Sequence, residues 1–269
     1  MVKPNEFIIN YSKAGAAKCS SGALRLLLLA VLSGFILGCA GAAASTASCA
    51  VENASLSKLI SGALFPFGLI AIVYSGAELF TGNCLISISV LQGEARLSGM
   101  VRNLVIVYLG NFIGCAMVAA GYMLCGAKNG ALAVSAIRIA VNKCSLDFFK
   151  AVVLGILCNV LVCLGVVCAV SAKTASGKAI GAYLPVCLFV ICGFEHSIAN
   201  MYYIPAGLFA NMLPDYAALA ANAGIDTAAL TWANFAVKNL IPVTIGNIIG
   251  GAGLGILLWY CNGKSVLNK

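Results

Sequence analysis

The sequence predicts an all-α membrane protein whose six transmembrane helices form two inverted repeats of three. Three observations predict it. Hydrophobic residues fill 62% of the 269 positions and charged residues only 9%, against about 25% charged in a soluble domain. Six apolar runs follow one another, each long enough for the roughly 20 residues that a helical crossing needs. The second and fifth runs are each interrupted by the same polar pattern.

At the N-terminus, residues 1–21 precede the first apolar run. Between Asn5 and Cys19, helical spacing puts Phe7, Ile8, Tyr11, Ala14 and Gly15 on one face and leaves Asn10, Lys13 and Lys18 off it. This predicts an amphipathic helix lying along the cytoplasmic membrane surface. The run over 22–44 is long enough to span, so it reads as a retained first helix, although the small residues from Ala42 to Ser48 mimic a signal-peptide cleavage site. The spans are expected at 22–44, 60–92, 101–126, 149–171, 180–213 and 235–261. They form one domain over 22–261, with repeats at about 22–126 and 149–261 and a cytoplasmic tail over 262–269. The second and fifth spans are too long for one straight crossing.

The repeat explains the extra length. Gly76-Ala77-Glu78-Leu79-Phe80-Thr81-Gly82-Asn83 and Gly193-Phe194-Glu195-His196-Ser197-Ile198-Ala199-Asn200 both read G-x-E-x-x-x-x-N. Gly110-Asn111-Phe112-Ile113-Gly114 is echoed by Gly246-Asn247-Ile248-Ile249-Gly250 in the same order. Three crossings per half put the second half into the membrane from the opposite side, so the repeats are inverted. Interrupted helices of such halves meet near the midplane and build the site there. This places Thr81 and His196 on opposite walls of one pathway. Helix restarts, expected after Phe80 and after His196, aim unsatisfied N–H groups at that pathway and favour an anion.

The charges give an orientation. With both termini cytoplasmic, the inner side holds Lys3, Lys13, Lys18, Arg25, Arg96, Arg102, Lys173, Lys178, Lys264 and Lys269. The outer side holds Lys58, Lys128, Arg138, Lys143, Lys150 and Lys238, an asymmetry that favours termini inside. The net charge of +8 therefore faces the anionic inner leaflet and needs no nucleic acid as partner. The 13 cysteines include no C-x-x-C pair, so they read as small packing residues, with no metal site or disulfide framework indicated. No nucleophile motif, metal-ligand pair or nucleotide loop accompanies the polar clusters, so neither an enzyme nor a cofactor is expected.

Glu78, Glu195 and His196 are the ionisable groups deepest in the apolar spans, where such residues usually mark a transport path. Each glutamate also has a simpler reading as a carboxyl that caps the backbone of its own broken helix, since a negative charge on an anion path repels the cargo. His196 is the sole histidine.

The strings Glu78-Leu79-Phe80-Thr81, Gly193-Phe194-Glu195-His196-Ser197-Ile198-Ala199-Asn200-Met201 and Asn239-Leu240-Ile241-Pro242-Val243-Thr244-Ile245-Gly246-Asn247 resemble the signatures of the formate/nitrite transporter family, over all six spans. The resemblance implies a homopentamer of aquaporin-like protomers in a bacterial inner membrane, each with its own pore for small monovalent anions such as formate, nitrite or hydrosulfide, formate placed first. It makes His196 the central histidine and Thr81 its partner, with Gly82, Asn83, Ser197 and Asn200 at the helix breaks. It assigns Phe189 and Leu69 to an apolar constriction on the cytoplasmic side, and Leu79, Phe80 and Val162 to an outer one. Asn159 matches the family asparagine of the fourth span, and Lys143 the lysine that accompanies the pore. Two apolar constrictions make a bare anion expensive, whereas its neutral acid passes more easily, so a histidine between them is expected to lend a proton and recover it. A neutral-solute channel of the aquaporin type is the nearest rival, but neither break carries its Asn-Pro-Ala.

Overall fold

The computed structural model describes residues 1–126 and 129–263. Lys128, Lys264 and Lys269, used above for orientation, lie outside them, as does the tail from residue 264. Among the described residues there is no strand, and six helices are long and apolar enough to cross a bilayer. In chain order the helices are α1 (Pro4–Ser20), α2 (Ala23–Ser48), α3 (Ala54–Ser75), α4 (Phe80–Leu91), α5 (Leu97–Cys125) and α6 (Gly130–Cys144). They continue as α7 (Phe148–Ser171), α8 (Ala175–Cys192), α9 (Ser197–Asn211), α10 (Pro214–Asn222) and α11 (Trp232–Asn262).

Local chemistry sets the boundaries. Asn53, Asp147, Thr174 and Thr231 each accept the N–H three residues on and so start α3, α7, α8 and α11, as short polar N-caps do. Helices α3 and α8 stop at Gly76 and Gly193, at φ 68° and 70°, the left-handed conformation that glycine adopts without a Cβ clash. The chain then doubles back. Gln92, just past α4, accepts from Trp259 Nε1 at 2.8 Å near the end of α11, and Tyr74, at the end of α3, donates to Ala175 O at 2.6 Å at the start of α8. The second and fifth spans are therefore a full-length helix followed by a re-entrant one, which explains their length.

The pairs α2 with α5 and α7 with α11 form the most extensive contacts. The two G-N-x-x-G echoes lie at these crossings: the Cα of Gly114 rests against the backbone of Val31 and Gly34 in α2, and that of Gly250 against Ile156 in α7. Leu24, Leu28, Val101, Val105, Ile245 and Ile248 are exposed around the outside, while Asn103, Asn111, Asn159, Asn239 and Asn247 are completely buried. This polarity, apolar outside and hydrogen-bonded polar groups within, is what a hydrocarbon solvent selects.

Helix α1 buries one face against the protein, the expected face except that Ser12 joins it and Ala14 leaves it. Phe7, Ile8, Tyr11, Ser12 and Gly15 are buried and Ala14 is exposed, because the helix packs onto α4, α5 and α11 within the bundle and its Tyr11 hydroxyl donates to Gly82 O at 3.3 Å. Its counterpart in the second half is α6, which packs on α9. The correspondence between the halves thus extends beyond 22–126 and 149–261 to include one short helix ahead of each.

Candidate functional site

Helices α4 and α9 begin at one place in the interior. The first N–H of each is taken by an asparagine from the G-N-x-x-G echo: Phe80 N donates to Asn111 Oδ1 at 3.0 Å and Ser197 N to Asn247 Oδ1 at 2.8 Å. The same two amides donate to Glu78 O and Glu195 O at 2.9 and 3.0 Å. Each asparagine therefore holds both strands of a break, and the restart of α4 falls after Leu79, one residue earlier than expected. Leu79 and His196 occupy equivalent N-cap positions.

Between the two starts, Thr81 Oγ1 and His196 Nε2 are 2.9 Å apart, both side chains buried. On the other side of the ring, Nδ1 accepts the N–H of Ala199 at 3.0 Å. A nitrogen that accepts carries no proton, so this bond assigns the proton of the neutral ring to Nε2 and aims it at Thr81. Asn159 is fully buried and sends Nδ2 to Thr81 O at 3.2 Å and Asn247 O at 2.6 Å. It braces the threonine from behind.

The glutamates do not cap their helices. Glu78 pairs with Lys18 at 2.8 Å and accepts from Asn83 at 2.7 Å. Glu195 accepts from Lys143 at 2.8 and 3.0 Å and from Asn200 at 2.7 Å. Asn83 and Asn200 also donate to Asn103 and Asn239, which donate in turn to the backbone carbonyls of Lys18 and Lys143. The two clusters share one chain of lysine, glutamate and two asparagines, and differ in detail: Lys18 also donates to Asn83 Oδ1 at 2.8 Å, whereas Lys143 bonds both oxygens of its glutamate. The cap role fell to the asparagines, which supply both an acceptor and a donor where a carboxylate supplies only acceptors. Lys18 is the functional-site residue that the sequence reading missed, because it sits 60 positions from Glu78 and outside the recognised repeat.

A cavity of about 340 Å³ reaches the ring from one face, lined by Ser48, Ser61, Phe65, Lys143, Phe189 and His196 among others. Phe189 stacks on His196 with centroids 5.7 Å apart and 19° between planes, and Phe65 meets Phe189 edge-on at 6.0 Å.

A family model described as formate/nitrite transporter matches residues 5–261. The formate channel FocA of Haemophilus influenzae is 40% identical over 202 residues, covering 73% of this chain and 71% of the relative. That of Escherichia coli strain K12 is 37% identical over 257 residues, covering 92% and 90%. A solved structure described as a pentameric formate channel with formate bound superposes with a TM-score of 0.77 at 35% identity, covering 88% of this chain and 96% of that one. The chain belongs to the formate/nitrite transporter family.

In this formate/nitrite transporter family member the constriction residues fall differently from the sequence reading. Phe189 lines the cavity shared with Lys58 and Lys143, residues assigned to the outer side, so it lies on the face opposite Lys18. The reason is the overshoot of α8, which passes the level of His196 before doubling back at Gly193. Leu79 adjoins Glu78, the partner of Lys18, and so belongs to the α1 half, with Phe80 edge-on to Tyr108 at 4.8 Å. Leu69 is buried against Gly165, and Val162 is buried within α7. Phe65, unremarked in the sequence, takes the place expected of Leu69 beside Phe189.

Proposed function

We propose that this protein is a channel for small monovalent anions of weak acids, formate first. It works as a homopentamer with one pore per protomer, in a bacterial plasma membrane with both termini cytoplasmic. The observation that carries the reading is the Thr81–His196 pair held between two helix starts at the end of a vestibule. Formate and pentamer are supported by the relatives named formate channel and by the similar pentameric structure.

A carboxylate arriving past Phe65 and Phe189 meets the Nε2–H of His196, the Thr81 hydroxyl and the positive ends of α4 and α9. These stabilise one negative charge without a free cation in the interior. Lys143 and Lys18 are each matched by a carboxylate, so the clusters add field without net charge. Proton lending by His196 belongs to the same reading, with a condition set by geometry. Releasing the Nε2 proton from a neutral ring leaves an imidazolate, so lending needs Nδ1 protonated first, and that breaks the bond from Ala199 N. The anion then takes the Nε2 proton, which leaves a neutral ring protonated on Nδ1. When the acid returns that proton to Nε2 on leaving as the anion, loss of the Nδ1 proton to water restores the neutral, capped form.

The test is a competition series in liposomes with formate, nitrite, hydrosulfide, acetate and chloride. Formate flux above acetate and chloride is expected. Passage of an uncharged solute at the same rate as formate would reject the anion reading in favour of a neutral-solute channel.

A further inference from the structure

Two cavities meet on the Lys143 face. The inner one ends at His196, and a wider chamber of about 900 Å³ lies outside it, lined by Glu52, Arg138 and Asn142 among others. Ser48, Ser57, Lys58 and Ser135 line both. They form the collar between the two cavities.

Lys58 is exposed, and among the described residues it forms neither an ion pair nor a hydrogen bond. Lys143, deeper in the inner cavity, is bound by both oxygens of Glu195. Its charge is offset within 3 Å, so its field falls off as that of a dipole. In the outer chamber, Lys58 and Arg138 against Glu52 leave one net positive charge. Two collar hydroxyls are engaged away from the ammonium: Ser57 donates to Ser48 O at 3.3 Å, and Ser48 Oγ accepts from Ser61 of the inner cavity at 3.0 Å. This leaves an uncompensated cation, ringed by hydroxyls, where the wide chamber meets the cavity that leads to the histidine.

We propose that Lys58 is the recruiting charge of this mouth, gathering small monoanions at a collar with Ser48, Ser57 and Ser135 before they enter the His196 cavity. The proposal rests on the anion-channel reading and assigns a residue that the family motifs do not contain. A free surface charge raises the local concentration of counter-ions and so the rate of capture. One unit charge at roughly 6 Å in a water-like medium does so by about threefold. The gain vanishes with salt, because the screening length falls from about 30 Å at 0.01 M to about 3 Å at 1 M.

The experiment measures formate flux against formate concentration in liposomes, at those two ionic strengths, for wild type, Lys58→Gln and Lys58→Arg. For Lys58→Gln we expect a half-saturating concentration about threefold higher at low ionic strength. Its maximal flux should be unchanged, and it should coincide with wild type at high salt. Lys58→Arg should restore the wild-type curve. A Lys58→Gln curve equal to wild type at low ionic strength overturns the proposal, as does a defect that persists at high salt, which marks a structural role. Absence of formate flux in the wild type instead strikes the substrate assignment, and the same comparison is then made with nitrite.

Discussion

Nδ1 of His196 accepts a backbone N–H, and Nε2 faces Thr81; the one bond secures a helix start and the other the pathway. Asparagine can replace the first bond, since its carbonyl oxygen is a good N-cap acceptor, but it cannot titrate. His196→Asn should therefore keep the oligomer intact in native mass measurement. Because lending begins with a proton taken up at Nδ1, wild-type flux should rise as pH falls, and the variant should lose that rise. Identical pH profiles would leave His196 a hydrogen-bond donor only. Thr81→Val keeps the shape and removes the hydroxyl. A hydrogen bond to a charged group is worth about 1.5–3 kcal/mol, so flux should fall by roughly tenfold or more, read at saturating formate. Both residues were legible in the sequence because one is the only histidine and the repeat placed the other opposite it. Lys18 was not, since nothing in a helix of mixed polarity marks which lysine reaches inward.

At the scale of elements, the two breaks depend on asparagines more than on the charges beside them. Asn247→Ala strands Ser197 N–H, Gly155 O and Glu195 O in a buried place, at about 1–3 kcal/mol for each unsatisfied group. Thermal unfolding in detergent should show a large loss for this variant and the same for Asn111→Ala, and little loss for Asn142→Ala at an exposed position. Gly193→Ala forces a Cβ into left-handed backbone and should cost about 1–2 kcal/mol by the same assay. The existence of six spans and two interruptions was readable from apolar length and from G-x-E-x-x-x-x-N. The overshoot and return were not, because a run of apolar residues records that a helix lies in lipid without recording where it turns. Phe189, near the far end of that overshoot, therefore shares a cavity with Lys58 and Lys143.

Across the whole molecule, α1 and α6 are equivalent, each bringing a lysine to the glutamate of the break in its own half. Removing one partner of a buried pair costs about 3–5 kcal/mol, and less here, since the Lys18 side chain keeps 27% of its exposure. Lys18→Met should loosen α1, seen as faster amide hydrogen exchange over residues 4–20, and Lys18→Met with Glu78→Gln should recover part of the protection. Equal exchange in all three would show that Phe7, Ile8 and Tyr11 hold the helix without the pair. This equivalence escaped the sequence reading because the two short helices share a fold position and a lysine but little else.

The pairing of each deep cation with its own carboxylate also bears on electrical behaviour. A transmembrane voltage does work on displaced net charge, about 2.3 kcal/mol per elementary charge per 100 mV. Lys18 with Glu78 sums to zero, as does Lys143 with Glu195, and His196 with a proton only on Nε2 is neutral. Among the described residues the interior therefore gives the field almost nothing to pull on. The conductance should stay the same from strongly negative to strongly positive potentials, with the current following the anion gradient and the applied voltage alone.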